Sequence, residues 1–306
     1  MKKNIILSTI FILFFGCTIT PIVAKGTVNK RITILEQKVL SFDKRGDIPF
    51  EGISDLDYDA KNHKLYMIGD RGYFYVFDAN FDTRRIKKLK YQKAYHIRTT
   101  KNNIIHPDIE GLTHDSKGNL ILSFERTPDV EIVSKQGKLI KKLTLPKKLR
   151  DKSIYKSSNS MFEGVAYHPK YGVLLAVERP INHQANTKQT IYSLKGKEWH
   201  FKAESYPNSS VTALEVMDDG NIILIERAYN GLSNPFYITL KKVYLNQCNK
   251  KSECKSEVLA TFSSAEGWGY NNFEGLAKVG KNRYVMVSDN NGRSFLPTNL
   301  TYFRVN

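Results

Sequence analysis

A short pattern that recurs along the chain constrains its fold more than any other feature. In three complete copies a Glu-Gly pair begins an apolar segment, and a second acidic residue lies fifteen residues after the first. These copies begin at Glu110, Glu163 and Glu274. A copy at Glu51 has four additional residues before its second acid, and a degenerate copy has Thr212 in place of the glutamate. The chain is therefore built from five related units.

The spacing of these units predicts the fold. Their first residues are separated by 59, 53, 49 and 62 residues. A repeat of roughly 40–50 residues made of short strands is typical of a propeller blade. Residues 115–119 and 218–221 are rich in Asp, Asn and Gly, which are typical of the turns between such strands. We therefore predict an all-β chain that forms a single β-propeller, with five blades favoured and six as the alternative.

The ends of the chain predict how the ring closes. The last unit contains only three strand-like segments, the third of them at residues 300–305, whereas residues 32–42 form an unassigned strand-like segment near the N-terminus. We expect this N-terminal strand to complete the last blade. Such an arrangement would remove the exposed sheet edge.

Residues 1–24 have the composition of an export signal. Lys2 and Lys3 precede an apolar segment at residues 5–15, which is too short to span a bilayer. Two processing sites remain open, namely lipidation of Cys17 after a lipobox-like segment and cleavage after Ala24. We predict a periplasmic or secreted protein, membrane-anchored by a lipid in the first case, with residues 25–306 as the propeller domain and no transmembrane helix in the mature protein.

The cysteines support an oxidising compartment. The chain has three, and lipidation of Cys17 would leave Cys248 and Cys254 as a pair. Five polar residues separate these two, which does not fit the usual CxxC zinc or redox spacing. We therefore predict a disulfide between them.

The charge balance favours anionic partners. The sequence contains 47 Lys and Arg against 30 Asp and Glu, a net charge of +17. A small anionic or phosphorylated substrate and an anionic envelope surface both fit this charge, as does simple solubility. Nucleic-acid-binding motifs are absent from the sequence, so we expect no specific nucleic-acid binding. The G-x-S-x-G, H-E-x-x-H and P-loop motifs are also absent.

The acids of the repeat are expected to meet at one mouth of the central channel. The first two strands of each unit form an antiparallel hairpin, so the first acid lies beside the second. Clustered carboxylates must protonate, pair or bind a cation, and Ca²⁺ prefers such oxygen ligands. The alternative is that Glu–Arg pairs bridge the blades without a metal. The predicted metal ligands are Glu51, Asp70, Glu110, Glu125, Glu163, Glu178, Glu274 and Asp289.

The same mouth contains the predicted catalytic and substrate-binding residues. We assign catalysis to Glu110, Glu163, Arg126 and Arg179, since arginines can stabilise developing negative charge. The arginine fork also suits a phosphate. The predicted substrate-binding residues are Arg71, Arg227, Lys93, His96 and Arg98.

With these motifs the chain resembles the phytase-like family of exported bacterial β-propellers with esterase-like activity of phytase. The resemblance extends over about residues 50–292, with Thr212 and Asn290 departing from the repeat. It implies calcium binding by acidic residues and hydrolysis of phosphomonoesters. Two hypotheses follow: a metal-assisted hydrolase of phosphorylated or other ester substrates, and a non-catalytic propeller that binds a ligand or partner at the cell envelope.

Overall fold

The computed structural model describes residues 31–98, 108–231, 233–269, 271–293 and 295–306. Within these ranges the chain forms twenty β-strands and three single-turn 3₁₀ helices, at Lys148–Arg150, Lys152–Ile154 and Ser264–Glu266. The predicted export signal, including Cys17, lies outside the described residues.

The strands form five antiparallel sheets of four strands, and each sheet is one blade. The prediction of an all-β, five-bladed propeller is therefore confirmed. The first blade contains β2 (Ile53–Asp59), β3 (Lys64–Gly69), β4 (Tyr73–Phe81) and β5 (Ile86–His96). The second contains β6 (Ile109–His114), β7 (Leu120–Phe124), β8 (Val130–Val133) and β9 (Leu139–Lys142). The third contains β10 (Phe162–His168), β11 (Gly172–Val177), β12 (Lys188–Ser193) and β13 (Glu198–Lys202). The fourth contains β14 (Ser209–Val216), β15 (Ile222–Ala228), β16 (Tyr237–Cys248) and β17 (Cys254–Ser263).

The fifth blade combines strands from both ends of the described chain. It contains β18 (Asn272–Gly280), β19 (Arg283–Asp289), β20 (Thr298–Val305) and β1 (Ile32–Leu40). β1 pairs antiparallel with β20, from Ile32 opposite Val305 to Leu40 opposite Thr298. The N-terminal strand is thus the outer strand of a sheet whose other three strands come from the C-terminal region.

The inner strands surround the channel. Each inner strand contacts the inner strand of the next blade. The contacts join β2 with β6, β6 with β10, β10 with β14, β14 with β18, and β18 with β2. Every residue of β2 is buried, because neighbouring blades cover both of its faces. The hydrophobic core accordingly lies between blades: Ala277 and Val285 of the fifth blade belong to the same cluster as Leu56 and Met67 of the first. Burial between blades supplies the hydrophobic free energy that stabilises the ring.

The predicted disulfide is confirmed. Cys248 and Cys254 lie opposite each other at the end of the β16–β17 hairpin and are bonded. Among the described residues, no helix is long and apolar enough to span a membrane.

Candidate functional site

A β-bulge near the start of the inner strand positions the first acid of the repeat in the second, third and fifth blades. In the second blade Ile109 lies opposite Phe124 and Gly111 opposite Ser123, so Glu110 is the additional residue. Glu163, Thr212 and Glu274 occupy the equivalent position in later blades. A bulge changes the direction of a side chain relative to a regular strand. The side chain at the bulge therefore has a different direction from the other side chains of the same inner strand.

The glycine that follows the acid serves close packing. A Cβ atom added to Gly111 would lie 2.8 Å from the backbone oxygen of Glu163 in the next blade. A Cβ atom added to Gly164 would lie 2.6 Å from Leu214 Cδ2. Glycine therefore allows neighbouring inner strands to approach each other. The Glu-Gly pair thus combines a carboxyl group with a packing requirement.

The first blade has a different register from the one that the sequence suggests. Its bulge is at Ser54, since Ile53 lies opposite Gly69 and Asp55 opposite Ile68. Ser54 is therefore the structural equivalent of Glu110, and Glu51 precedes the strand. Glu51 Oε1 accepts a hydrogen bond from Arg71 Nη1 at 2.8 Å, and both side chains are partly exposed. Glu51 thus lies at the rim of the mouth, outside the set of bulge residues.

The fourth blade shows a second change of register. Val211 lies opposite Glu226, whereas Phe162 of the third blade lies opposite Val177. Because side chains alternate along a strand, Arg227 occupies the position that Glu178 has in the third blade. Glu226 points to the other face, where Lys241 and Ser209 donate to it. Glu226, the acid that precedes the arginine in this copy of the repeat, therefore does not lie at the mouth. The fifteen-residue interval of the repeat, counted from Thr212, ends at Arg227. The sequence spacing therefore already indicated that Arg227 occupies the position of the second acid.

Arg227 is a largely enclosed cation beside several acids, with 19% of its side chain exposed. Its Nη1 donates to Glu274 Oε1 and, at 2.9 Å, to Asn272 Oδ1. Its Nη2 donates to Glu178 Oε1 at 3.2 Å. Burial lowers the pKa of Arg227, but the carboxylates around it, led by that of Glu274, raise it above its ordinary value. Arg227 therefore offsets part of the charge of the mouth.

The other three arginines of the repeat lie further out. Each follows the second acid of its repeat by one residue. Arg71 pairs with Glu51, Arg126 Nε lies 3.2 Å from Asp108 Oδ1, and Arg179 Nε lies 3.6 Å from Glu178 Oε2. The exposed fractions of these side chains are 56%, 61% and 45%. Among the repeat arginines, Arg227 is the one that is enclosed.

Seven carboxyl groups interact at this mouth, which we call the acidic mouth. They belong to Asp70, Glu110, Glu125, Glu163, Glu178, Glu274 and Asp289.

Burial and mutual repulsion change the protonation of these groups. Burial, reinforced by neighbouring carboxylates, raises the pKa of Glu110 and that of Glu163 well above the ordinary range. Burial and then Glu178 raise the pKa of Glu125 to about 7, and burial and then Glu274 raise that of Asp289 to about 8. Arg227, together with the more exposed Arg71 and Arg179, cannot offset seven carboxylates, so the remaining groups must stay protonated or meet another cation.

The arrangement fits a hard divalent cation. Carboxylate oxygens of Glu125, Glu163 and Glu178 all lie within 4.8 Å of one another. Asp70 Oδ1 is buried and has no hydrogen-bond partner among the described residues. Oxygen donors of this kind are the ligands that Ca²⁺ and Mg²⁺ prefer. The donor set at the acidic mouth is therefore chemically suited to calcium.

A cleft of about 500 Å³ adjoins the acidic mouth. Glu178, Arg179 and Arg227 form its inner side, and Arg293 and Tyr229 line it further out. Arg293 and Tyr229 were not among the predicted site residues. Each follows the second strand of its blade by a few residues. This position within the repeat is the sequence feature by which they could have been predicted.

Three predicted substrate-binding residues, Lys93, His96 and Arg98, lie away from this cleft. Lys93 and His96 are on β5, the outermost strand of the first blade, and Arg98 follows that strand. His96 Nε2 lies 3.1 Å from Asp47 Oδ2, and Arg98 forms an isolated bridge with Lys138. None of the three lines the cleft beside the acidic mouth. The cleft therefore gives no support to their predicted role in substrate binding.

The sequence over residues 48–292, which includes all residues of the acidic mouth, matches the Phytase-like family, described as esterase-like activity of phytase. The chain belongs to the phytase-like family. No curated protein sequence matches it.

Three solved structures resemble this phytase-like protein distantly. The WD40 domain of Pan2 from Neurospora crassa is 11% identical, with a TM-score of 0.37 over 91% of this chain and 97% of that one. The virginiamycin B lyase from Staphylococcus aureus is 10% identical, with a TM-score of 0.39 over 89% and 99%. The PQQ-bound aldose sugar dehydrogenase from Streptomyces coelicolor is 10% identical, with a TM-score of 0.41 over 89% and 98%.

At its opposite mouth, the phytase-like propeller has a cavity of about 1000 Å³. His114 Nδ1 lies 2.6 Å from Asp57 Oδ2, and this contact raises the pKa of His114 to about 9. Glu215 accepts hydrogen bonds from the backbone N–H groups of Val216 and Lys278. Asp57, His114 and Glu215 were not among the predicted site residues, because they belong to separate blades and share no sequence motif.

Asp55 lies between the two mouths and joins three blades. Its carboxylate accepts backbone N–H groups of Leu56, Leu112 and Leu276, which belong to the first, second and fifth blades. Burial raises the pKa of Asp55 well above its ordinary value, although these hydrogen bonds act in the opposite direction. We assign Asp55 a structural role because its hydrogen bonds connect inner strands.

Proposed function

We propose that this phytase-like protein is a hydrolase of phosphorylated or other ester substrates that acts with a bound calcium ion at the acidic mouth. The observation that carries the proposal is the cluster of seven carboxyl groups at one mouth, two of which pair with Arg227, beside a cleft with further arginines. Membership of a family described by esterase-like activity supports the same reaction class.

The residues suited to holding the cation are Glu125, Glu163 and Glu178, whose oxygens lie within 4.8 Å of one another. When bound, a calcium ion would supply positive charge for the substrate and for a nucleophilic water. It would also offset the repulsion that burial imposes on these carboxylates.

The arginines of the cleft suit the anionic part of a substrate. Arg179 and Arg227 both lie beside Glu178, and both line the cleft. The planar guanidinium group can donate two parallel hydrogen bonds to a phosphate. These arginines would orient the substrate and stabilise the negative charge of the transition state.

Glu110 is suited to hold the proton that the leaving group requires. Burial, together with the carboxylates of Glu274 and Glu125, raises its pKa well above the ordinary range. In the proposed reaction, water forms the new bond to phosphorus or to the acyl carbon, and the bond to the leaving oxygen breaks. The leaving oxygen takes the proton from Glu110, and a proton of the water restores it.

A substrate panel tests the reaction. Purified protein is assayed with p-nitrophenyl phosphate and p-nitrophenyl acetate, in calcium and in chelator. We expect turnover of at least one ester in calcium and its loss in chelator. The double variant Glu110→Gln and Glu163→Gln should be inactive, whereas the matched variant Glu51→Gln should retain activity because Glu51 lies at the rim.

The outcome also discriminates between the two hypotheses. A folded wild-type protein that hydrolyses neither ester under either condition would contradict the enzyme and leave a non-catalytic ligand-binding propeller.

We also propose that the protein is exported. The composition of residues 1–24 and the Cys248–Cys254 disulfide support this localisation. Fractionation of cells, followed by thiol labelling with and without reductant, tests it. Recovery of the protein in the cytosol with two free thiols would contradict export.

A further inference from the structure

The cleft beside the acidic mouth has an unusually apolar outer wall. Four large apolar side chains are exposed in the described part of the chain: Val39, Ile140, Tyr229 and Phe295. Two of them line this cleft, Tyr229 with an exposed fraction of 47% and Phe295 with 70%. Exposed apolar residues that cluster mark ligand-binding or interaction surfaces more often than isolated ones do.

The apolar wall continues beyond the cleft. Phe295 and Leu296 line both the cleft and a neighbouring groove of about 500 Å³. Val39, a third member of the exposed apolar set, lines that groove together with Phe42. A ligand in the cleft can therefore bury apolar surface against the Phe295–Leu296 segment.

The charges of the cleft limit how many anionic groups a ligand can present. Arg227 pairs with Glu178 and Glu274, and Arg179 pairs with Glu178. Arg293 lines the cleft and has no ion-pair partner among the described residues. The cleft thus contains three arginines, of which one lacks a carboxylate partner. A ligand with several phosphates would require several such cations, whereas a single anionic group matches this site.

We propose that the cleft binds an ester with one anionic group attached to an aromatic or aliphatic body, and not a polyphosphorylated polyol. The anionic group would contact Arg179 and Arg293, and the body would pack on Tyr229 and Phe295. A cleft of about 500 Å³ has the size of a small-molecule site. The inference that this ligand is hydrolysed rests on the proposed function, whereas the inference about its binding does not.

Calorimetric binding of non-hydrolysable probes in calcium buffer tests the proposal. The probes are naphthylmethylphosphonate, methylphosphonate and inositol hexakisphosphate. We expect naphthylmethylphosphonate to bind about tenfold more tightly than methylphosphonate, because only the former can bury apolar area on the wall. Inositol hexakisphosphate should bind more weakly than naphthylmethylphosphonate.

Matched variants assign the two parts of the site. Phe295→Ala should remove most of the preference for the naphthyl group, whereas Ile140→Ala should not change it. Ile140 is a suitable control because it is also exposed but lies on β9, the outer strand of the second blade. Arg293→Gln should weaken both phosphonates by about tenfold, the loss expected for a hydrogen bond to a charged group.

The outcomes separate this inference from the proposed reaction. Equal affinities for the two phosphonates, an unchanged preference in Phe295→Ala, or tightest binding of inositol hexakisphosphate would overturn the inference. Phosphonate preference that depends on Phe295, in a protein that hydrolyses no ester, would support the inference and contradict the proposed reaction. Ester hydrolysis without any naphthyl preference would do the reverse.

Discussion

The two mouths of the channel are built by the same five inner strands, but they treat buried charge differently. At the acidic mouth, seven carboxyl groups repel one another, and Arg227 donates hydrogen bonds to two of them, Glu178 and Glu274. At the opposite mouth, Asp57 pairs with His114, and Glu215 accepts two backbone N–H groups, although burial and the charge of Asp57 still raise the pKa of Glu215 to about 7. The scaffold therefore does not dictate the excess of acids. An excess that the fold does not neutralise is suited to a cation, whereas paired charges are suited to stability.

The largest effect should come from removing the enclosed cation. We expect Arg227→Met to lower the free energy of unfolding by about 3–5 kcal/mol, because Glu178 and Glu274 lose a buried partner. Urea denaturation at pH 7 in chelator measures the change. The matched variant Arg71→Met removes a partly exposed pair at the same mouth and should cost about 1 kcal/mol or less. Equal losses in the two variants would show that Arg227 is not enclosed as described.

Calcium should stabilise the acidic mouth and not the opposite one. A ligand present at about 100 times its Kd stabilises the folded state by about 2.7 kcal/mol. We therefore expect calcium to raise the Tm of the wild type and of Glu215→Gln. Glu163→Gln should lose the response, because Glu163 contributes to the oxygen cluster. A wild-type Tm that neither calcium nor chelator changes would exclude the metal, and an altered response in Glu215→Gln would place it at the other mouth.

The acidic mouth should also make stability fall with rising pH in chelator. The folded-state pKa of Glu125 is raised from 4.5 to about 7 and that of Asp289 from 3.8 to about 8. The folded state therefore binds protons more tightly than the unfolded state, and the stabilisation is complete below about pH 4. It is lost as the pH rises through 7 and 8.

Denaturation curves at pH 5 and pH 8.5 test this dependence. Asp289→Asn should reduce the difference between the two pH values by about 1–2 kcal/mol, after allowance for partial exposure. A wild-type stability that rises over this interval would contradict the prediction.

The smallest effect should come from the paired charges at the opposite mouth. Asp57 raises the pKa of His114 from 6.5 to about 9, so its stabilisation is complete below pH 6.5 and is lost as the pH rises through 9. We expect His114→Gln to cost about 1 kcal/mol at pH 6, since the side chain is partly exposed, and less at pH 9.5. Stability curves of the two proteins that stay parallel across this range would show that the pair does not titrate as proposed.

The repeat pattern was enough to predict the architecture and the seven carboxylates of the acidic mouth, although it also included Glu51 among them. Five spaced units predicted five blades, because each unit contains three or four strand-like segments and needs neighbours to bury them. The hairpin formed by the first two strands of each unit predicted that Glu163 and Glu178 would meet. The pairing of Cys248 with Cys254 was also predictable, since the two lie close together in sequence.

Which members of the repeat face each other depends on the register of the inner strands in the folded protein. Side chains alternate along a strand, so a shift of one residue moves a side chain to the opposite face. That shift places Arg227, and not Glu226, among the acids, and the bulge at Ser54 leaves Glu51 at the rim. The cleft and the Asp57–His114 pair join residues from different blades. Such contacts depend on how neighbouring blades pack against each other, which local sequence patterns do not encode.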